Sequence, residues 1–195
     1  EIEGLVGKLV SGREEVLRAW KNGEVPVVID PQCAMRKILL PDVLVDAILA
    51  KRTTGTARDD APLVIGLGPG FRAGRDVHVV IETNRGHRLG RVVEEGEAEP
   101  DTGIPGDVGG HTLERVLRAP AGGRFQGMKK IGERVTKGEV VAEVGGVPLE
   151  TRISGVLRGI LHDGLAAEPN MKVGDVDPRA APENCLTVSE KARAI

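Results

Sequence analysis

Apolar residues at Val16, Leu17, Ala19 and Trp20 recur at helical spacing across residues 14–22, and Gly23 follows as a stop. That pattern predicts a short amphipathic helix. Residues 25–29, VPVVI, form a brief apolar run closed by Asp30 and Pro31, the form taken by a buried strand. Pro41 and Asp42 then open a second helical pattern with Leu44, Ala47 and Ile48 on one face. Proline suits a first helical turn and aspartate complements the helix dipole. Leu63 to Gly66 reads as the next buried strand. Strand, helix and strand within about forty residues predict a crossover unit in a parallel sheet.

Beyond Arg115 the pattern changes to short strands and glycine turns, with no helical run before the last residues. An internal echo is present. Gly123 and Gly155 stand 32 positions apart, whereas Gly138 and Gly174 stand 36 apart, so the second copy carries an insertion near residues 166–170. Repeats this short bury an apolar face by stacking on one another. The paired turns, with IGERVTKGEVV at 131–141, resemble the barrel-sandwich hybrid of biotinyl and lipoyl carrier domains. Such carriers present a lysine on the hairpin between the halves, but no lysine occurs between Lys137 and Lys172. The expected fold class is therefore α/β: an α/β region with parallel strands and a strand-rich centre over 1–114, a barrel-sandwich hybrid without acceptor lysine over 115–178, and a tail over 179–195.

Composition narrows the class. The chain has 195 residues, a formal charge of -2 and 40% hydrophobic residues, enough for a buried core and without electrostatic attraction to nucleic acid. Trp20, Phe71 and Phe125 are its aromatic residues, too few for a base-stacking platform. No apolar stretch approaches the roughly eighteen residues of a membrane span. Cys33 and Cys185 are isolated, as expected of reduced thiols in the cytoplasm. The expected localisation is cytoplasmic, with no nucleic-acid or membrane partner, and a homo-oligomer is compatible with these features.

Candidate chemistry crowds into residues 61–91, APLVIGLGPGFRAGRDVHVVIETNRGHRLGR. Closely spaced glycines after a strand let backbone N–H groups approach an anion, and they also make tight turns with no ligand. Gly66, Gly68 and Gly70 form G-x-G-x-G, and a strand-like VHVVI follows. A dinucleotide fingerprint needs G-x-G-x-x-G and a helix, so that reading is disfavoured. Alternation over 76–82 places Val77, Val79 and Ile81 on one face and Asp76, His78, Val80 and Glu82 on the other. A carboxylate–imidazole–carboxylate stripe suits acid–base chemistry or a metal, and equally the polar face of an edge strand. His78 and Glu82 are the candidate catalytic pair, and no metal site is assigned. Arg75, Arg85, His87 and Arg91, with Gly68, Gly70 and Gly86, are the candidate anion- or cofactor-binding set, because guanidinium and imidazolium donors grip phosphate or carboxylate. The alternative is an exposed basic turn balanced by Glu94, Glu95 and Glu97. Asp46, read inside a helix near its apolar face, needs a partner such as Lys51 or Arg52.

Ordered blocks along the chain carry a family resemblance: VDAILAK (45–51), APLVIGLGPGF (61–71), AGRDVHVVIET with RGH and LGR (73–91), GIPG (103–106), RVLRAP (115–120), KIGERVTKGEVVA (130–142), GVLRGIL with DGL (155–165), KVGDVDPR (172–179) and SEKARAI (189–195). Together they resemble the YqeB family of selenium-dependent molybdenum hydroxylase accessory proteins. The resemblance implies a bacterial cytoplasmic maturation protein that binds a molybdenum cofactor precursor, a nucleotide or the client hydroxylase. Its implied partners are the molybdenum hydroxylase or another maturation protein, with a nucleotide or pterin as ligand. An enzyme acting on a phosphorylated or pterin substrate and a non-catalytic docking scaffold are the alternatives. Family members usually open with a strand and a glycine-rich, Asp-containing loop and continue past the last residues here, so truncation at both ends is expected.

Overall fold

The computed structural model describes residues 1–195 and separates them into two units, Glu1–Thr102 with Val188–Ile195, and Gly103–Thr187. The division falls twelve positions before the boundary read from the sequence, and the last residues return to the first unit.

In the first unit, β1 (Gly7–Leu9), α1 (Gly12–Lys21) and β2 (Val25–Val27) follow one another, and the two strands pair in parallel. The crossover unit thus lies earlier in the chain than expected. Val16 and Ala19 on α1 are each 1% exposed and pack on Val10, with Val28 and Leu39 at the margin. Spacing of three along a helix puts both on one face. Val25 and Val27 are exposed rather than buried. Pro26 lacks an N–H and suits a strand with an open edge.

The short helix α2 (Arg36–Leu39) precedes β3 (Val43–Asp46), which lies where the second helical pattern predicts a helix. Two features oppose a helix there. Val43 and Val45 are β-branched and pair in parallel with β4 (Leu63–Leu67), and Leu49 and Lys51 have φ of 56° and 62°, outside the right-handed helical region. The link to β4 holds a single 3₁₀ turn, Arg58–Asp60. β5 (Arg72–Ala73), β6 (Val79–Ile81), β7 (Val92–Val93), β8 (Gly96–Glu97) and α3 (Glu190–Ala194) complete the unit. The main sheet has the order β3-β4-β6-β7, parallel through its first three strands and antiparallel at β7. Val64, Val77 and Val80 are fully buried and form its core with Phe71, Ala73 and Ala98.

The second unit comprises β9 (Val116–Arg118), β10 (Gly123–Gly127), β11 (Arg134–Val135), β12 (Val140–Val144), β13 (Val147–Glu150), β14 (Gly155–Ile160), β15 (Ala166–Ala167) and β16 (Lys172–Asp177). They form two antiparallel sheets, β13-β12-β10-β15 and β11-β14-β16-β9. Phe125, Leu117, Leu157, Val141 and Val144 are among the residues of its core. The sequence echo is visible as β10 and β14 in corresponding places in the two sheets. Neither sheet closes into a barrel, however, and the expected α/β class with a biotinyl- or lipoyl-like barrel-sandwich hybrid is corrected to a strand-rich chain with several sheets. Short strands of two to six residues and one three-turn helix leave too little helix for an α/β layer, which needs a helix on each sheet face. No helix is long and apolar enough to cross a membrane.

Candidate functional site at the carboxyl edge of the parallel sheet

Parallel strands aim the loops that follow them at a common edge, and in open sheets ligands bind outside the carboxyl ends. Here β3, β4 and β6 are neighbours, and the loops after them touch. Gly70, at φ 106°, lies against the backbone of Lys51 and Arg52, where a Cβ would collide with main-chain atoms. Gly68, at φ 78°, lies against Thr83, whose Oγ1 would be 2.5 Å from a Cβ at that position. The two glycines therefore serve the close approach of three loops. Gly66 in turn leaves room for the Phe71 ring.

A polar side chain at the end of β3 and another just past the end of β6 organise the loops that follow. Asp46, 5% exposed, accepts the Ile48 N–H at 3.0 Å and the hydroxyls of Thr56 at 2.6 Å and Thr54 at 3.3 Å. Its partners are these groups, not Lys51 or Arg52, and they fix the loop that carries both cations. Glu82, 2% exposed, accepts the N–H groups of Asn84 and Glu99, both at 2.7 Å. Buried carboxylates require such partners.

Cations surround this edge. Lys51 Nζ meets Asp101 at 2.8 Å, and Arg85 Nη1 meets Glu190 at 3.4 Å. The Asn84 amide donates to Glu99 at 2.6 Å. Lys191, on α3 and half-buried, forms no ion pair of its own. Burial, then the charges of Arg85 and Lys51, push its ammonium below the usual lysine range against the opposing pull of Glu82. Gly90 admits α3 by lying against the Ala194 carbonyl. Gly86, His87, Arg88 and Arg91 are exposed around the turn after β6, and Arg91 returns its carbonyl to the Glu82 N–H at 2.9 Å.

The predicted site residues separate into two groups. Gly68, Gly70, Arg85, Gly86, His87 and Arg91 lie at the carboxyl edge, with Glu82. Arg75 and His78 precede β6 and lie at its opposite end, with His78 roughly 13 Å from Glu82 for four residues of extended chain. Arg75 grips its neighbour Asp76 through Nε at 2.9 Å and Nη2 at 3.0 Å, which holds that carboxyl below the usual range. Asp76 also accepts the Arg72 N–H at 2.9 Å. His78 accepts the Val64 N–H on Nδ1 at 2.9 Å and donates its own N–H to the Val64 carbonyl, so that nitrogen carries the lone pair and extends the sheet ladder. The stripe of Asp76, His78 and Glu82 is thus three separately engaged side chains, and His78 and Glu82 do not meet. No group of three or more His, Cys, Asp or Glu stands together as a metal-ligand set. Sequence spacing singles out neither Lys51 nor Lys191: the first falls at the end of a segment with helical spacing, and nothing local to residue 191 announces that α3 returns to this edge.

A cleft of about 500 Å³ lies elsewhere, between the ends of β1 and β2 and the start of α1, lined by Leu9, Val10, Ser11, Gly12, Glu15, Val28 and Ile29. Its one ionisable side chain, Glu15, is engaged by the Ser11 N–H at 2.7 Å and hydroxyl at 3.2 Å, which hold it below the usual carboxylate range.

Fold and site together define a two-unit, strand-rich protein whose short parallel sheet gathers charged side chains at its carboxyl edge. No protein-family model matches the chain. Over 194 residues, covering 100% of the chain, it is 46% identical to the uncharacterized protein YqeB of Escherichia coli (strain K12). The chain spans 36% of that relative's length. Among solved structures it is similar to an aspartoacylase family protein of Mesorhizobium loti, with 13% identity over 60% of this chain and 43% of that one and a TM-score of 0.32. The ectoine utilization protein EutE (DoeB) of Ruegeria pomeroyi gives 15% identity over 69% and 52%, with a TM-score of 0.30. A succinylglutamate desuccinylase of Silicibacter sp. TM1040 gives 16% over 88% and 52%, with a TM-score of 0.29. None of the three is a biotinyl or lipoyl carrier by description, and likeness this low carries no chemistry to this chain.

Proposed function

We propose that the chain is part of an accessory protein that matures selenium-dependent molybdenum hydroxylases, and that it holds an anionic cofactor precursor or nucleotide at the carboxyl edge of β3, β4 and β6. The pathway rests on the resemblance carried by the ordered sequence blocks, while the 46% identity to the uncharacterized protein YqeB bears on kinship alone. The anion is supported chiefly by the meeting of three loops, Gly70 on Lys51 and Arg52 and Gly68 on Thr83, which brings cationic side chains to one edge. Arg85 and His87 provide donors there, and Gly86 leaves the backbone of their turn open, while Gly68 and Gly70 act by letting the loops meet. Arg75 has no part in this reading, being engaged with Asp76 at the other end of β6. His78 has none either, because its Nδ1 is used by Val64.

The reading is tested in cells that make a selenium-dependent molybdenum hydroxylase. Deleting the gene for this protein should leave the hydroxylase inactive and depleted of labile selenium. Restoring Arg85→Ala/His87→Ala in place of the parent should reproduce that defect. A hydroxylase that keeps its selenium and activity after deletion would contradict the pathway. Full rescue by the double variant would remove the anion site from it.

A further inference from the structure

Among the side chains at the carboxyl edge, Lys191 is the one whose environment its neighbours do not explain. It is half-buried and follows Glu190, whose carboxylate meets Arg85 at 3.4 Å, on the helix that Gly90 receives. Lys51 reaches the same edge through Asp101 at 2.8 Å, two residues past Glu99, which bonds Glu82 and Asn84. The ion pairs of this edge leave Lys191 without a carboxylate in contact. Lys51 and Arg85 have carboxylate partners of their own. Glu82 spends its oxygens on the Asn84 and Glu99 N–H groups. A half-buried ammonium with no ion-pair partner of its own beside like charges raises the free energy of the folded chain, and an anion of more than one charge seated among them lowers that cost.

The carboxylates now nearest the cations are exchangeable. Glu190 is 83% exposed and meets Arg85 at 3.4 Å. An exposed pair of this kind contributes little, so a better-charged ligand displaces it. Lys51 is also half-exposed, at 52%, and free to turn from Asp101. Arg85 supplies a planar fork that takes two oxygens of one tetrahedral group, whereas the two lysines act as point charges. A single carboxylate does not use all three.

We infer that Lys51, Arg85 and Lys191 form a seat for a multiply charged phosphate-type oxyanion, with Lys191 as its inner cation and Glu190 as the surface counterion it displaces. This rests on the proposed anion site and narrows its ligand class. The shared chemistry is a phosphate or diphosphate group, either free or on a nucleotide.

The test is calorimetric titration of the protein with orthophosphate, pyrophosphate and adenosine diphosphate at fixed ionic strength. Pyrophosphate should bind saturably. Lys191→Met should weaken it about tenfold or more, the effect of losing a charged hydrogen bond, and Lys191→Arg should restore most of it. Lys21→Met, on α1, should bind as the parent does, and circular dichroism should show every variant folded. Glu190→Gln should tighten binding, since it removes the competitor. Adenosine diphosphate binding well above pyrophosphate would identify a nucleotide source, and equal binding a free oxyanion. Parent-like binding by Lys191→Met while Arg85→Ala loses it would overturn this seat and leave the broader anion site standing. No binding of any of the three probes would overturn the ligand class, with hydroxylase maturation still scored independently.

Discussion

The Glu82 carboxylate accepts the main-chain N–H of Glu99 at 2.7 Å, which ties the carboxyl end of β6 to the segment following β8. The second oxygen accepts Asn84 N–H at the same distance, so one buried side chain positions both the turn bearing Arg85 and the chain leading to Asp101. Glu82→Gln replaces one acceptor oxygen by an NH₂ group that faces a donor. Urea denaturation should show a loss of about 2 kcal/mol, within the range for buried hydrogen bonds to charged groups. An unchanged midpoint would show that the carboxylate does not organise the edge.

Gly70 and Gly74 make a controlled pair. Both have positive φ, 106° and 81°, but a Cβ at Gly70 meets the backbone of Lys51 and Arg52, whereas at Gly74 nothing lies within 4 Å. Gly74→Ala should cost about 1 kcal/mol for backbone conformation alone. Gly70→Ala should cost clearly more, about 3 kcal/mol, because main-chain atoms have to separate. Denaturant midpoints of the two variants give the comparison. Equal losses would remove the close loop approach from the account.

In the second unit, Asp177 is 1% exposed, and Arg179 donates to it through Nε at 2.9 Å and Nη2 at 2.6 Å. Those bonds, chiefly, hold its carboxyl below the usual range. Asp177→Asn should destabilise this unit by about 2–3 kcal/mol, as expected for losing charge-assisted bonds at a buried carboxylate. Arg179→Ala should cost less, because Arg158 also faces Asp177, at 3.5 Å. Thermal unfolding of both variants checks the order.

Glu139 gives a pH signature. Its hydrogen bond with Lys129 and the Thr136 N–H lower its carboxyl from 4.5 to about 2. The folded state therefore holds this proton less readily than the unfolded one. The stabilisation is complete above about 4.5 and is lost as pH falls toward about 2. A carbon-detected titration should place the Glu139 midpoint near the lower value, and Lys129→Met should move it up. A midpoint in the ordinary range in the parent would dissolve the assignment.

Lys191 shifts the other way in consequence. With its ammonium pushed down mainly by burial, and then by Arg85 and Lys51, the unfolded chain binds this proton more tightly than the folded one. Its contribution to stability should rise with pH across the interval between the two values. Lysine-resolved NMR should find Lys191 titrating below the other lysines, and Arg85→Met should bring it part of the way back. Titration alongside the exposed lysines would contradict the crowding of cations.

Periodicity made α1 legible because Val16 and Ala19 meet the core from one helical face, and the apolar run at Leu63 marked β4 for the same reason. It failed at residues 43–51. Leu44, Ala47 and Ile48 satisfy helical spacing while Val43 and Val45 satisfy strand spacing over so short a run, and only pairing with β4 and the positive φ at Leu49 and Lys51 decide between them. The glycines at 68 and 70 were recognisable as special, but their reason, contact with Thr83 and Arg52, lies in residues distant along the chain. Alternation over 76–82 says which residues share a face but not what they bond to: β6 covers only Val79–Ile81, and His78 and Glu82, just outside it at opposite ends, take separate backbone partners. The C-terminal repeat was visible in sequence, but the closed barrel-sandwich read from it was not formed, since repeat spacing does not specify how two sheets join. Lys191 had no local signal at all, because its neighbours come from residues 51, 82 and 85.

The central claim is that the carboxyl edge of β3, β4 and β6 holds an anion, and amide NMR of the labelled protein during a pyrophosphate titration tests it most directly. Saturating shifts should concentrate at Lys51, Arg52, Gly68, Gly70, Thr83, Arg85, His87 and Lys191, with Arg75 and His78 at the other end of β6 unmoved. Shifts centred on Arg75 and His78, or on the cleft beside α1, or none at any concentration, would contradict it.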